Sequence, residues 1–355
     1  MRNIFIICLL ILSSIKIFSQ PATVDHLGQP VFASGINLAW IKFSKDLGNF
    51  NEKKFTKAVN DVSSAKGNVL RWWLHTNGKN SPVFTNGKCT GIDPKEILNL
   101  KRALDIAYKH GVMIDLCLWS FDMLQPDVAK YHQRNKDLIS KREYSLAYID
   151  NALLPLVNSV KGHPGILCWE VFNEPEGMIN GYGWTPTKVD MKDVQQFVNL
   201  VAGAIHRSDP NVLVSNGSWS MKVMTDVDGN TNFYSPQRLK AAGGDSLGYL
   251  DFYMVHYYPQ NNPIEQSPFH HPAKYWKLDK PIMIGEFPAL GIKQADNSKS
   301  LTTVQAYEYA YNNGYAGLMS WTYTRHDGNG GLPECAAALS LIYNKNSKLI
   351  QVITK

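Results

Sequence analysis

The chain has 355 residues, 44% of them hydrophobic, with 36 Lys and Arg against 30 Asp and Glu for a formal charge of +6. That is apolar material enough for one large folded domain, and with no Lys/Arg run of the kind that tracks phosphates, nucleic acid is excluded as a partner. The cysteines show no CxxC spacing for zinc, and neither metal nor cofactor is expected.

Residues 1–20 read as a secretory signal peptide: Arg2, the apolar run Ile4 to Leu12, then Ser13, Ser14 and Phe18-Ser19-Gln20. The run is too short for a stable membrane span and lacks the polar face of a buried amphipathic helix. Cys8 lies inside it rather than after it, which argues against a lipoprotein. The expected product is exported, secreted or periplasmic, without a membrane anchor, and monomeric, with one catalytic domain over residues 21–355. Cys117 and Cys168 lie in strand-like runs and read as buried thiols. Cys89 and Cys335 fall in polar stretches, where a single disulfide is compatible with export.

Short apolar runs then alternate with segments of helical period. Strands are predicted at 31–38, 69–75, 112–119, 166–172, 212–216, 252–258, 281–287 and 317–323. Helices are predicted at 52–65, 94–109, 145–160, 189–207 and 302–313. The fifth and sixth helices are hard to discern, and the 217–250 connection is long. Gly111, Gly165, Gly314 and Gly317 stand before strands, where a helix must stop. Eight strands alternating with helices predict an α/β fold of the (β/α)8 barrel type rather than an open doubly wound sheet.

In such a barrel the chemistry gathers where the strands end. In order, the runs close on Asn37 and Trp40; Arg71 and His75; Trp119; Asn173 and Glu174; Trp219; His256 and Tyr258; Glu286; and Trp321 and Tyr323. A glutamate at the end of an apolar strand is costly unless it is paired, solvated or used. Two of them, Glu174 on the fourth strand and Glu286 on the seventh, fit glycosidic hydrolysis, which needs one carboxyl as proton donor and another to stabilise or trap the oxocarbenium-like centre. Arg71, His256 and Tyr258 can keep one carboxylate ionised, and Asn173 can bind a sugar hydroxyl. Trp119, Trp219 and Trp321 are expected to stack on sugar rings. His75 is either a satisfied loop histidine or a contact to a distal sugar. Trp72 and Trp169 read as core, Asn37 as a supporting hydrogen bond and Glu176 as a structural brace. The stretch 225–232 is read as a solvated turn, since the glycine and glutamate of a calcium loop are missing.

The motifs "WEVFNEP", "VHYYP", "IGEF" and "MSWTY", together with Arg71, resemble the clan of retaining (β/α)8 glycosidases that includes glycoside hydrolase family 5. Longer stretches, "GINLAWIKFSKDLG", "RWWLHTNG", "NEPEG", "GSWSMKVMTD" and "SPFHHP", resemble the endo-β-1,4-mannanases of that family's tenth subfamily. The resemblance implies that Glu174 is the acid/base and Glu286 the nucleophile, with Arg71, Asn173, His256, Tyr258 and Trp321 around the bond to be cut. It implies internal cleavage of mannan, glucomannan or galactomannan. Many family glucanases carry a histidine where this chain has Trp119, a departure that counts against a cellulase. The alternatives are an endo-β-1,4-glucanase of the same family and a non-catalytic carbohydrate-binding barrel.

Overall fold

The computed structural model describes residues 21–352, so the predicted leader at 1–20 lies outside them. Eight parallel strands close into a barrel: β1 (Ala33–Ala39), β2 (Val69–Thr76), β3 (Met113–Ser120), β4 (Ile166–Asn173), β5 (Leu213–Ser218), β6 (Tyr253–His256), β7 (Ile282–Glu286) and β8 (Gly317–Ser320). They pair in sequence order, and β8 closes on β1. Nearly every strand residue is buried, because helices cover the outside and side chains fill the inside. The eight predicted runs all appear, each with its start displaced by no more than two residues.

The covering helices follow their apolar stripes. Helix Glu52–Ser64 buries Phe55, Ala58, Val59 and Val62, spaced to face the sheet, and Asn51 caps it by accepting from the Lys54 amide at 3.0 Å. Helix Pro94–Lys109 starts where predicted, with Asp93 as cap and Pro94 in the first turn. The predicted 145–160 segment is instead helix Arg142–Tyr148, a π turn at Ile149–Leu153 and helix Leu154–Ser159, preceded by helix His132–Ser140. Between β5 and β6 run 3-10 turns at Met221–Val223 and Val227–Gly229 and the short helix Pro236–Gly243, and the β6–β7 connection carries 3-10 turns at Ile264–Gln266 and Ala273–Trp276. These weak periods explain why helices five and six were hard to discern. The helices after β8, Leu332–Lys345 and the single turn Ser347–Ile350, were not predicted.

The hairpin Val24–His26/Gln29–Val31 closes the barrel floor, where Val24 and Val31 join Met113, Leu167, Phe252 and Met283. The opposite end, where the strands terminate, stays open. The Cys89–Cys335 disulfide that the sequence left open is absent. Both thiols are free and buried, Cys89 on the hairpin strand Lys88–Gly91 and Cys335 within helix Leu332–Lys345. Cys117 and Cys168 are free and buried as expected. Trp72 and Trp169 are fully buried, as their core reading requires. No helix among the described residues is long and apolar enough to cross a membrane.

Candidate active site

Arg71, inside the barrel on β2, is fully buried and organises the mouth. Its Nε and Nη2 donate to the two oxygens of Glu170 at 2.5 and 2.7 Å, Nη1 to Glu286 Oε1 at 2.5 Å, and Nη2 to Asn173 Oδ1 at 2.9 Å. Asn37 accepts from Nη1 at 2.9 Å and donates to the Gly285 carbonyl, so it serves the supporting role read for it. A buried guanidinium needs this density of acceptors, since each unpaired donor would carry its full desolvation cost.

Glu286 ends β7. Besides Arg71 it accepts from the Tyr258 hydroxyl at 3.0 Å. Burial raises its pKa, opposed by His256, by the Arg71 charge and by the Tyr258 hydrogen bond. Glu174 follows β4 with a left-handed backbone, φ 46°, held by its amide donating to the Gly217 carbonyl at 2.7 Å. That conformation costs roughly 1–2 kcal/mol for a non-glycine residue, and it sits at the point where the chain leaves the strand and turns into the loop beyond Pro175. Glu174 is partly exposed, and burial pushes its pKa up to about 7 against the pull of Arg71.

His256 hydrogen-bonds with Glu174 Oε1 through Nδ1 at 2.9 Å and stands 3.5 Å from Glu286 Oε1. Burial lowers its pKa to about 4, so near neutrality it meets both carboxyls as a dipole rather than a cation. One oxygen from each glutamate and a ring nitrogen of His256 lie within 4.8 Å of one another. Among the described residues this is the one such set that could also hold a metal ion.

Two aromatic groups flank the pair. On the β8–β1–β2 side, Trp321 stands 5.7 Å from Trp40 and 5.8 Å from Trp73 between ring centres, and its Nε1 donates to Asp327. Across the mouth, Trp219 at the end of β5 borders a cleft of about 420 Å³ with Glu174, Trp184, Tyr258, Asn261 and Asn262.

The structure therefore brings together Glu174, Glu286, Arg71, Asn173, His256, Tyr258, Trp321 and Trp219. It does not bring Trp119 to the surface, and that expectation is corrected. Trp119 is fully buried because His75 at the end of β2 and Tyr148 of helix Arg142–Tyr148 pack against its ring. His75 is buried too, its Nδ1 hydrogen-bonded to Ser81 at 2.9 Å, which excludes direct contact with a distal sugar. Glu176 braces the loop, accepting from the Tyr234 hydroxyl and from the Trp219 amide. Asp226 lies in an ion pair with Arg238, in keeping with a turn.

Sequence reasoning missed Glu170, Asp115 and Trp184. Glu170 and Asp115 are fully buried in mid-strand. Their signal was a charge inside an apolar run with the same inward parity as Arg71. Asp115 is pushed well above the usual carboxylate range, first by burial and then by the Glu170 charge.

A family model described as Cellulase (glycosyl hydrolase family 5) matches residues 24–327. The chain belongs to glycosyl hydrolase family 5. Among the relatives of this family 5 hydrolase is a mannan endo-1,4-beta-mannosidase of Mytilus edulis, 34% identical over 328 residues that span 86% of each chain. Another from Cryptopygus antarcticus is 34% identical, covering 83% of this chain and 81% of its own. The crystal structure of an endo-1,4-beta-mannanase from Eisenia fetida superposes with a TM-score of 0.83 at 30% identity, covering 94% of this chain and 100% of that one.

Proposed function

We propose that this family 5 hydrolase is an exported, monomeric, retaining endo-β-1,4-mannanase in which Glu286 is the nucleophile and Glu174 the acid/base. One observation carries the mechanism: the two carboxyls face each other with oxygens within 4.8 Å. That fits the separation of about 5–5.5 Å between carboxyls in retaining enzymes and leaves no room for the water an inverting enzyme needs.

In the first step a Glu286 oxygen bonds to the anomeric carbon while the bond to the leaving sugar breaks. Glu174 gives that leaving oxygen its proton. In the second, a water loses its proton to Glu174 and attacks the same carbon, releasing Glu286. A proton donor with a pKa of about 7 is charged correctly for this shuttle in mildly acidic solution. Arg71 and Tyr258 supply the charge and hydrogen bond that keep the nucleophile anionic. A divalent cation on this set would occupy the lone pairs that Glu174 needs for its proton, so the reading invokes no metal.

The mannan assignment rests on the names of the relatives and on Asn173. Mannose differs from glucose in its axial 2-hydroxyl, next to the reacting carbon. We assign that hydroxyl to Asn173, whose amide is held by Arg71 and by its donation to Ser120 at 3.3 Å. The test is hydrolysis of glucomannan, galactomannan and carboxymethylcellulose side by side, with viscosity and the anomer of the first product followed. Rapid loss of viscosity on the mannans with β product first is expected. Faster cutting of carboxymethylcellulose overturns the substrate, and α product first overturns the mechanism. Glu286→Ala should lower kcat/KM by more than about 10³-fold, over roughly 4 kcal/mol of transition-state stabilisation.

A further inference from the structure

Ser120 ends β3 beside Asn173 at the end of β4, and the two are register partners in the barrel. Both are buried. The Ser120 hydroxyl donates its one proton to Asp122 Oδ2 at 2.5 Å. Its oxygen accepts from Asn173 Nδ2 at 3.3 Å and from the Asp122 backbone amide at 3.4 Å. One donor and two acceptor sites are all that a hydroxyl has, so Ser120 is fully committed.

The direction of this chain is set at Asp122. Burial pushes the Asp122 pKa up to about 6 against the pull of the Ser120 hydrogen bond, with the Asp127 and Glu174 charges adding to the rise. Above that pH the side chain is a carboxylate, which accepts and cannot donate. The Ser120 proton therefore points to Asp122, and only a lone pair remains for Asn173. On its other side the Asn173 amide meets Arg71, which has donors alone, so Oδ1 faces the guanidinium at 2.9 Å. The amide is thus gripped at both ends, oxygen to Arg71 and nitrogen to Ser120. Among the described residues Nδ2 has no second acceptor, although an amide nitrogen carries two hydrogens. One N–H is left for a substrate.

We propose that Asp122 is a positioning residue that, through Ser120, aims the second Asn173 N–H at the 2-hydroxyl of the sugar whose bond is cut. The inference rests on the assignment of that hydroxyl to Asn173. Without the carboxylate, Ser120 can turn its proton toward Asn173, where it confronts an N–H and pushes the amide out of line. A hydrogen bond to the 2-hydroxyl strengthens as the transition state forms, so a misaimed amide lowers the rate more than it weakens binding.

The test removes the carboxylate and the substrate hydroxyl in turn, above the pKa of Asp122. Asp122→Asn, Ser120→Ala and Asn173→Ala are compared with the unaltered enzyme on an aryl β-mannobioside and on its analogue lacking the 2-hydroxyl at the cleaved sugar. Asp122→Asn should lower kcat about tenfold on the first substrate, with KM changed less than about twofold. On the analogue the loss should stay below about twofold. Ser120→Ala should show the same pattern, and since Ser120 is fully buried it acts only through its neighbours. Each preparation cuts both substrates, so a partly misfolded variant loses equally on both and leaves their ratio unchanged. Equal losses on the two substrates in Asp122→Asn, or no loss on either, would overturn the role of Asp122 while Asn173→Ala still discriminates between them. Equal losses in Asn173→Ala itself would instead refute the assignment of the 2-hydroxyl, and the role of Asp122 with it.

Discussion

Arg71 serves two carboxylates at once, and the second was not legible in the sequence. Glu174 and Glu286 could be read because each closes an apolar run, where a charge has no structural reason to be. Glu170 sits inside such a run, and alternation alone does not say whether the inward position meets a cation. It meets Arg71 in a two-bonded pair, and that pairing makes it a positioning residue for the guanidinium that holds Glu286 and Asn173. Glu170→Gln should lower the melting temperature, since removing one partner of a buried pair costs about 3–5 kcal/mol. A merely structural role would stop there. The negative charge of Glu170 also raises the pKa of Glu174. Its removal makes Glu174 easier to ionise, so the alkaline limb of the kcat/KM profile should move to lower pH. An unmoved limb would confine Glu170 to holding the fold. Trp119 shows the opposite limit of residue-level reading. A strand-end tryptophan is exposed only if its neighbours leave it so, and here His75 and Tyr148 pack against it.

Among elements, the strands were more legible than the helices. A buried parallel strand is a continuous apolar run wherever it occurs, whereas a short helix such as Pro236–Gly243 spans barely two turns of its period. The loop carrying Trp184 has no period at all, so its role appears only in three dimensions. β5 illustrates how an element can serve a site without contributing a reactive group. A Cβ at Gly217 would stand 2.3 Å from Glu170 Oε1, 3.0 Å from His256 Nε2 and 3.2 Å from Arg71 Nη2. None of these atoms can retreat easily, because Glu170 and Arg71 pin each other. Gly217→Ala should therefore destabilise by about 1–3 kcal/mol through overpacking and depress activity without touching substrate. Gly91→Ala is the control, because its added Cβ would meet nothing within 4 Å. Equal melting temperatures for the two variants would show that the barrel interior yields more readily than its hydrogen bonds imply.

At the scale of the whole molecule, burying ionisable groups around one mouth makes stability depend on pH from both sides. Glu96, Glu174 and Glu176 are pushed up to about 7 and Asp122 to about 6, each chiefly by burial. A carboxyl raised in the fold favours the folded state fully below its unfolded pKa, and that contribution is lost as pH rises through the folded value. These four therefore weaken the protein as pH climbs from about 4–4.5 past 7. His75, lowered to about 3, and His256, lowered to about 4, act in the other direction. The unfolded chain binds their protons below about 6.5, so stability falls as pH drops from there toward 3. The slopes oppose each other only between about 4.5 and 6.5, and the melting temperature should peak in that window. Thermal unfolding at pH 3.5, 5.5 and 8.5 checks the shape, and a melting temperature still rising at pH 8.5 would contradict it. Glu174→Gln isolates one contribution, because the amide cannot ionise. Relative to the unaltered enzyme, the variant should gain at least about 2 °C on going from pH 5.5 to 8.5, even though it has lost the proton that the proposed mechanism requires. A difference that does not change with pH would mean that Glu174 carries its charge at no cost to the fold, and would remove the physical basis for its role as the acid.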